Sequence, residues 1–463
     1  MNNYENWQEL YPRPMLKRQS FLNLNGEWKL NTTPIFIPFP PQSSLSQYHQ
    51  EVQDHLTYIK EFQLPEHFSS QNNHILLHFG AVDQIADVYL NNQYLGNHTG
   101  GYLPFSFDIT NFLQDDMNTI RVEVVDTLSH TYPYGKQRKK RGGMWYTPVS
   151  GIWQTVWIEA IPQQAIHNIK ITPSLSSIHI DIDSDASQFY ISIPLENKIF
   201  QQTYTSKEID IDLSHETESL HLWTPDNPYL YTIIIKTDTD CIESYFALRT
   251  IEIKNRKIYL NHSPIFLHGV LDQGYFNDGI FLPEKPQEFI ADILKMKELG
   301  FNIIRKHIKI EPEIFYYACD KYGMLVMQDM VNNGNYNWFL DTALPNKGIL
   351  YRPDKFPGQK ERKQIFEKHM LETLNHLFKE DAHYGYGQTD SEEALTDCII
   401  KLYEDMVLTS IPNGLCGCIY TQLSDVEDEI NGLYTYDRQI CKVNKKRMMN
   451  ISQKIFECFQ KNL

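Results

Sequence analysis

Apolar and polar residues alternate in short runs along the first 160 residues, which is the pattern of half-buried β-strands. Turn signals such as Asn91-Asn92 and Gly100-Gly101 separate the runs. Many short strands at this spacing are typical of a two-sheet sandwich. We therefore predict a jelly-roll β sandwich over residues 1–162, with strands at Tyr58–Leu64, His74–Phe79, Asp87–Leu90, Asn118–Val125 and Val156–Ile161.

A second β-rich stretch covers residues 163–256, and its length suits an immunoglobulin-like β sandwich. The Cys-Trp-Cys pattern of antibody domains is missing from it, so this prediction depends on length and periodicity. Strands are predicted at Ile166–Ile171, Ile178–Ile182, Phe189–Ile193, Tyr231–Lys236 and Ser244–Thr250.

From residue 257 to residue 463 the hydrophobic period changes, because strands now alternate with amphipathic helices. This rhythm indicates a parallel sheet. The predicted strands are Ile265–Val270, Phe301–Ile308, Met324–Met330 and Leu415–Leu423. The predicted helices are Gln287–Leu299, Glu313–Tyr322, Arg362–Phe378, Ser391–Leu408, which Ser391 would cap, and Lys442–Phe459.

The spacing of these strands indicates a shortened barrel. The first three resemble the start of a β/α barrel and the fourth resembles its last strand, but only 84 residues separate Asp329 from Gly414. Each βαβ unit takes roughly 30 residues, so strands four to seven with their helices would need more than ~100. The predicted fold class is therefore multidomain β plus α/β, in which the third domain is a truncated (β/α)8 TIM-type barrel without strands 4–7.

Charge and cysteine content limit the kinds of partner and the cellular compartment that we expect. The net charge is −16, and the only basic runs are the short Lys136–Arg141 and Lys442–Arg447, the second interpreted as a solvated helix face. Nucleic acid is therefore an unsuitable partner. Seven cysteines in no stapling pattern, no export signal and no apolar run of 18 residues predict a cytoplasmic protein without a membrane segment. Neither a metal motif nor a nucleotide-binding motif is present, so we predict no cofactor.

Several motifs together resemble one family, glycoside hydrolase family 2, which includes β-galactosidases and β-glucuronidases. The motifs lie in all three predicted domains. They are Tyr11-Pro-Arg-Pro14, Leu24-Asn-Gly-Glu-Trp28, Leu77-His-Phe-Gly-Ala-Val-Asp83, Ser150-Gly-Ile-Trp-Gln-Thr-Val-Trp157, Trp223-Thr-Pro-Asp-Asn-Pro-Tyr-Leu-Tyr231, Phe266-Leu-His-Gly269 and Leu271-Asp-Gln-Gly-Tyr275. The resemblance implies a sugar-binding jelly roll, an immunoglobulin-like domain and a barrel that hydrolyses O-glycosidic bonds of carbohydrates.

The resemblance also implies two catalytic glutamates, and this sequence departs from it there. In the family, an acid/base glutamate follows an Asn after barrel strand four, and a nucleophilic glutamate ends strand seven in a Glu-Phe-Gly-like context. The sequence contains neither Asn-Glu nor Glu-Phe-Gly. In the family's order, both glutamates should lie between about His376 and Tyr384. There the sequence passes directly from a predicted helix to a segment that resembles the family's segment after strand seven. We assign no catalytic residue.

Seven residues are candidates for a remaining substrate site. Arg305 and His307 alternate on one strand, where they either hold a catalytic network or form an ion pair with Asp329. Trp338 can stack on a sugar ring or plug a hydrophobic edge. The full set is Asp272, Arg305, His307, Asp329, Trp338, Tyr420 and Asp425. Glu427, Asp428 and Glu429 are further acidic residues near strand ends, and Tyr102, Trp145 and Trp153 are expected in the sandwich core.

Four functional hypotheses remain open. The chain is a family 2 glycosidase by descent that is now impaired or inactive, a noncatalytic carbohydrate-binding protein, a defective deletion product, or an enzyme that uses a substitute pair such as Asp329 and Asp425. A carbohydrate, specifically a β-glycoside, is the expected ligand. An open barrel exposes two strand edges, which predicts a homo-oligomer formed through them.

Overall fold

The computed structural model describes residues 6–66, 68, 73–215, 220–255, 257–334, 359–377 and 392–463. Within this part of the chain, no helix is long and apolar enough to cross a membrane. The predicted limits of the three domains stay a prediction, but the described elements follow the predicted order of two β sandwiches and a parallel α/β unit.

The first unit is an antiparallel sandwich of the predicted jelly-roll type. Its two main sheets have the orders β1-β12-β5-β9 and β3-β2-β4-β10-β7-β8, and their inner faces enclose Trp28, Tyr58 and Phe79. The strands are β1 Phe21–Asn23, β2 Gly26–Leu30, β3 Thr33–Ile37, β4 His55–Phe62, β5 Asn73–Phe79, β6 Val82–Asp83, β7 Ile85–Leu90, β8 Gln93–Thr99, β9 Phe105–Asp108, β10 Asn118–Val125, β11 Gly151–Ile152 and β12 Val156–Pro162.

The second unit has two antiparallel sheets, β13-β14-β17 and β16-β15-β18-β19, around an isoleucine-rich core. The strands are β13 Ile166–Pro173, β14 Ser177–Ser184, β15 Phe189–Pro194, β16 Ile199–Tyr204, β17 Glu208–Asp212, β18 Tyr231–Lys236 and β19 Cys241–Phe246. The prediction of Ser244–Thr250 was displaced, because β19 pairs with β18 only as far as Phe246. A small sheet of β20 Ile251–Lys254, β21 Lys257–Leu260 and β22 Ser263–Pro264 leads to the third unit.

The third unit is a sheet of four parallel strands in the order β25-β24-β23-β26. The strands are β23 Leu267–Asp272, β24 Ile303–Lys306, β25 Leu325–Gln328 and β26 Gly417–Thr421. Although β26 comes last in the chain, it pairs directly with β23, as the last strand of a closed barrel pairs with the first. The described strands therefore form one continuous arc of a barrel, and β25 and β26 lie at its two ends.

Helices α1 Gln287–Glu298, α2 Glu313–Tyr322, α4 Glu392–Leu402 and α5 Lys445–Lys461 pack on the outer face of this arc, whereas α3 Gln359–Leu377 lies beside the first sandwich, where the ring centroids of His369 and Tyr102 are 6.5 Å apart. The predicted helix Ser391–Leu408 is α4 continued by a π-helix, Tyr403–Leu408, and its predicted cap lies outside the described residues. The last helix begins later than predicted because Asn444 caps it, accepting a hydrogen bond from the Arg447 N–H at 3.1 Å.

The first sandwich packs directly on the barrel unit. Tyr102 and Trp153 were expected in the sandwich core, but they are buried in the core shared with the barrel, where the ring of Phe281 lies 6.1 and 4.9 Å from their ring centroids. Trp145 is not a core residue either: it is half-buried, and the Arg138 guanidinium lies 3.8 Å from its ring centroid. Tyr102 and Trp153 therefore pack between two domains, whereas Trp145 belongs to a loop.

Candidate functional site

The candidate residues gather at the C-terminal ends of the parallel strands, which is where barrel enzymes place their chemistry. Asp272 ends β23, Arg305 and His307 end or follow β24, Asp329 follows β25 and Asp425 follows β26. Trp338 lies outside the described residues. The fold therefore brings residues from four separate sequence positions to one edge of the sheet.

Asp329 is bound on both of its carboxylate oxygens. Arg305 Nε lies 3.0 Å from Oδ1, and His307 Nδ1 lies 2.6 Å from Oδ2. All three side chains are largely buried. Burial lowers the pKa of His307, while the hydrogen bond to Asp329 opposes that shift. The structure therefore contains the ion pair with Asp329 that was one of the two readings of Arg305 and His307. Both oxygens of the Asp329 carboxylate are engaged in it.

Asp272 belongs to a second buried charge cluster. Lys306 Nζ lies 2.5 Å from Asp272 Oδ2 and 2.5 Å from Glu311 Oε1, and Lys309 Nζ lies 2.8 Å from Glu311 Oε2. Burial would raise the pKa of Asp272, but the ammonium of Lys306 brings it below its usual value. Burial lowers the pKa of Lys309 to about 8, against the attraction of Glu311. Two cations and two anions thus neutralise one another beneath the strand ends.

Asp425 is held by contacts that the sequence did not suggest. Lys442 Nζ lies 2.7 Å from Asp425 Oδ1, and the backbone N–H of Gly432 donates to the same oxygen at 2.9 Å. Lys442 is therefore paired with a strand-end carboxylate, whereas Lys445 and Lys446 of the same basic cluster are exposed. No contact among the described residues joins Asp425 to Asp329, so the geometry gives no support to a substitute catalytic pair.

Tyr420 lies on the face of β26 that packs against the helices, together with Cys418, whereas Ile419 lies on the opposite face. Its hydroxyl donates to the Asn431 carbonyl at 3.5 Å, and burial raises its pKa to about 12. This placement suits packing at least as well as sugar contact, and its role in binding stays a prediction.

Two acidic residues that follow β26 contact the first sandwich. The backbone N–H of Thr147 donates to both oxygens of Glu427, at 3.1 and 3.2 Å, and Arg141 lies 3.4 Å from that carboxylate. The hydroxyl of Tyr146 donates to Glu429. Asp428, between them, is exposed. The loop around residues 141–147 is therefore fastened over the edge of the sheet.

Lys136, from the same part of the first sandwich, is the functional candidate that the sequence did not single out. It is buried, and its Nζ lies 5.3 Å from the ring centroid of Tyr146. Burial lowers its pKa to about 8, and the charges that act on it include Glu429, Arg305 and Asp329. The only sequence feature that draws attention to Lys136 is its place in the short basic run Lys136–Arg141. From the sequence alone, such a run looks the same as a solvent-exposed basic patch.

A narrow pocket lies between the segment around Lys136 and the C-terminal ends of the strands. It is lined by Tyr102, Gly135, Lys136, Gln273, Tyr275, Phe281, His307, Ile308 and Lys309. Within the described residues, no group of three or more His, Cys, Asp or Glu side chains is arranged to hold a metal ion. The rings of Tyr102, Tyr275 and Phe281 in its lining are buried, so the pocket offers a ligand mainly polar side-chain atoms such as those of Lys136 and Gln273.

Comparison with known proteins agrees with this architecture. Residues 8–162 match the family described as glycosyl hydrolases family 2, sugar binding domain, and residues 164–249 match glycosyl hydrolases family 2. Residues 251–381 match glycosyl hydrolases family 2, TIM barrel domain. Three adjacent domains of one family thus cover most of the chain in the family's order.

Individual relatives are distant. A β-galactosidase of Thermoanaerobacter pseudethanolicus is 27% identical over 308 residues, which cover 61% of this chain and 40% of the relative. A putative β-glucuronidase of Formosa agariphila is 26% identical over 299 residues, 59% of this chain and 35% of the relative. The match therefore spans less than half the length of these curated relatives.

Solved structures share the fold. The β-D-glucuronidase of Dictyoglomus thermophilum superimposes with a TM-score of 0.72 and 16% identity, over 96% of this chain and 98% of that chain. A Ruminococcus gnavus β-glucuronidase gives a TM-score of 0.73 and 16% identity, over 97% and 99%. With its jelly-roll, immunoglobulin-like and barrel domains matched in succession, this chain belongs to glycoside hydrolase family 2.

Proposed function

We propose that this chain binds a carbohydrate at the C-terminal strand ends but does not carry out the retaining hydrolysis of its family. The observation that supports the proposal is that three acidic residues at the strand ends already form ion pairs. Asp272, Asp329 and Asp425 each lie within 3.0 Å of a lysine or arginine nitrogen. The sequence also lacks the Asn-Glu and Glu-Phe-Gly motifs that the family resemblance implies.

Glycoside hydrolysis requires two carboxyl groups in opposite protonation states. One must be neutral in order to protonate the leaving oxygen, and the other must be ionised as nucleophile or base. A carboxylate paired with a cation is a poor proton donor, because the neighbouring positive charge favours the ionised form. Asp272, Asp329 and Asp425 are therefore poor candidates for the acid that the first chemical step needs.

The remaining features favour binding over chemistry. Polar side chains of the strand ends and of the segment around Lys136 surround a small pocket, whose aromatic rings, Tyr102, Tyr275 and Phe281, are buried. A mixture of polar groups and an apolar lining is typical of small-molecule sites. As parts of the same proposal, the domains end at residues 162 and 256, and the barrel lacks strands 4–7. The protein is proposed to be cytoplasmic. The proposed substrate contacts remain Asp272, Arg305, His307, Asp329, Trp338, Tyr420 and Asp425.

A defective deletion product is the second candidate. The strands β25 and β26 end the described arc, and such edges can recruit another copy or aggregate. Leu402 and Met406, one turn apart in the helical segment that precedes β26 in the chain, are exposed and add apolar surface.

Light scattering on the purified chain, combined with a sugar-binding titration, separates the two candidates. A defined monomer or dimer that binds a β-glycoside supports the binding function. Heterogeneous aggregates without saturable binding would support the defective product instead.

A further inference from the structure

The parallel sheet of the third unit has the strand number and the strand order of half a closed barrel. Its four strands, β25-β24-β23-β26, all pair in parallel, and a (β/α)8 barrel contains eight. Among the described strands, none pairs with the outward edge of β25 or of β26. An open edge presents backbone N–H and C=O groups without a strand partner, and closure of the barrel removes it.

Burial decreases from the middle of this arc to its two ends. Every residue of β23 and β24 is buried, whereas all of β26 and the two middle residues of β25, Val326 and Met327, are only partly buried. The first sandwich contacts residues that follow these strands, such as Asn332 and Glu427, rather than the outward strand edges. Both ends of the arc therefore combine an open edge with accessible apolar side chains.

A second copy of the chain fits both open edges at once. A two-fold axis along the barrel axis keeps all eight strands parallel and places β25 of each copy beside β26 of the other. Pairing a strand with its own copy cannot continue a parallel sheet with the same face inward, and it leaves two edges open. We propose that two copies join their arcs into one closed, eight-stranded parallel barrel. This inference rests on the proposed absence of barrel strands 4–7 and is independent of sugar binding.

The register of the arc agrees with this closure. One line of paired residues crosses the arc through Thr421, Leu271, Arg305 and Met327. The strands β26 and β23 begin four residues before this line, and β24 and β25 begin two residues before it. A barrel with a shear of about 8 shifts by about four residues over each half, so the next β26 should begin on the line. Met327 would then lie opposite Gly417 of the second copy.

The inner and outer faces of the strands also match in this register. Val326 and Cys416 pack on the helix-covered side of the sheet, whereas Met327 and Ile419 lie on the inner side. A shift of an even number of residues keeps outward side chains beside outward ones. Val326 would therefore lie opposite Cys416 of the second copy, on a neighbouring strand about 4.8 Å away.

Closure would also complete the candidate site. Arg305 alternates with the inward Ile303 on β24, and Asp329 continues the inward alternation of Met327 after β25. The Arg305–Asp329 pairs of the two copies would consequently face one opening at the C-terminal strand ends. The strand ends of a single chain thus form half of the proposed binding surface.

Light scattering and cross-linking of the full chain test the proposal. The parent chain should have the mass of two chains. Val326→Cys, oxidised with diamide, should give a covalent dimer on a non-reducing gel, because two Cα atoms on paired strands are within disulfide range. Adding Cys416→Ser should abolish that dimer. Lys363→Cys is the matched control, since its side chain is exposed on α3, away from the sheet, and it should not cross-link.

Val326→Asp tests the same joint without a cross-link. It should raise the dissociation constant of the dimer about a hundredfold or more, because each dimer would bury two carboxylates at the joints. Ile253→Asp is the control: Ile253 is 73% exposed on β20, a different edge strand, and its replacement should leave the dimer intact. Val326→Lys is the second replacement if the aspartate variant does not fold by circular dichroism.

A monomeric parent chain would overturn the proposal, and so would heterogeneous aggregates. A dimer that survives both replacements of Val326, or a Val326→Cys cross-link that does not need Cys416, would place the contact elsewhere and overturn it as well. Neither readout involves a sugar, so this inference and the proposed carbohydrate binding fail separately.

Discussion

His307 Nδ1 lies 2.6 Å from Asp329 Oδ2, and Arg305 Nε takes the other oxygen of the same carboxylate. Two neighbouring strands are thereby joined at their C-terminal ends by a buried ion pair. In a complete catalytic barrel such a group can orient reacting carboxylates. Here its first consequence is structural, because it holds β24 and β25 together near one end of the arc.

Asp329→Asn should therefore destabilise the barrel unit. The substitution leaves the buried Arg305 without its counter-ion, and breaking a buried pair typically costs about 3–5 kcal/mol. Urea unfolding followed by tryptophan fluorescence measures the loss. Asp428→Asn is the control, since Asp428 is exposed and its replacement should change stability by less than about 0.5 kcal/mol. Equal unfolding midpoints for the two variants would refute the structural role.

Arg438 should be a second point of vulnerability. Its Nε lies 2.8 Å from Asp292 Oδ2, Nη2 donates to the Tyr275 carbonyl at 2.8 Å, and the guanidinium lies 4.3 Å from the ring centroid of Phe276. It joins the segment after β26 to α1 and to the loop after β23. Arg438→Met should lower the unfolding free energy by about 3 kcal/mol or more.

The matched control for that change is Arg447→Met. Arg447 also pairs with an aspartate, Asp397, but both side chains are more than 40% exposed. An exposed pair contributes at most about 1 kcal/mol. Thermal unfolding of the two variants should therefore differ clearly, and a similar loss in both would mean that burial does not determine the strength of these pairs.

His268 should make the chain sensitive to acid. Its Nδ1 lies 3.1 Å from the Gly300 carbonyl and from Ser452 Oγ, and its Nε2 lies 3.2 Å from the Tyr403 hydroxyl. Burial lowers its pKa from 6.5 to about 4. The unfolded chain therefore binds a proton between these values that the folded chain does not, so stability is complete above pH 6.5 and falls as pH decreases toward 4.

The size of that loss is at most about 3 kcal/mol, from the linkage between pKa and stability. Comparing His268→Gln with the parent chain isolates it from other histidines such as His369 and His376, whose pKa values burial also lowers to about 4. The variant should show a flatter dependence of unfolding free energy on pH between 4 and 6.5. Parallel curves would contradict the assignment.

Gly269 should tolerate no side chain. A Cβ at this position would collide with Ile419 Cδ1 and lie 2.7 Å from Ile303 Cγ2, because the two neighbouring strands close over it. Gly269→Ala should cost about 1–3 kcal/mol through overpacking. Adding Ile419→Val removes the Cδ1 atom and should recover part of the loss. A double variant no better than the single one would mean that Ile303, rather than Ile419, sets the limit.

Local patterns in the sequence predicted the individual elements well, because alternation and helical spacing are properties of neighbouring residues. The helix at Glu313–Tyr322 and the strand at Asn118–Val125 have the predicted limits. The alternation of Arg305 and His307 left the pairing with Asp329 as one of two readings, and the structure contains that pairing. Each of these depends on one or two adjacent elements.

Contacts between residues far apart in the sequence could not be predicted in this way. Lys136 reaches the site from a loop far from Arg305 in sequence, and Lys442 reaches Asp425 across a turn. Neither contact leaves a period or a spacing in the chain. Tyr102 and Trp153 show the same limit, since an apolar residue buried between two domains has the same sequence signature as one buried within a sandwich.

Turnover of aryl β-glycosides by a purified, defined species tests the central claim most directly. Parent chain and Asp329→Asn should be measured side by side with aryl β-galactosides, β-glucuronides, β-glucosides and β-mannosides, with the folded fraction of each determined first. The account predicts rates indistinguishable from buffer for both proteins on every substrate. Saturable turnover by the parent chain that is lost in a folded Asp329→Asn variant would contradict it, and would identify Asp329 as part of a working catalytic pair.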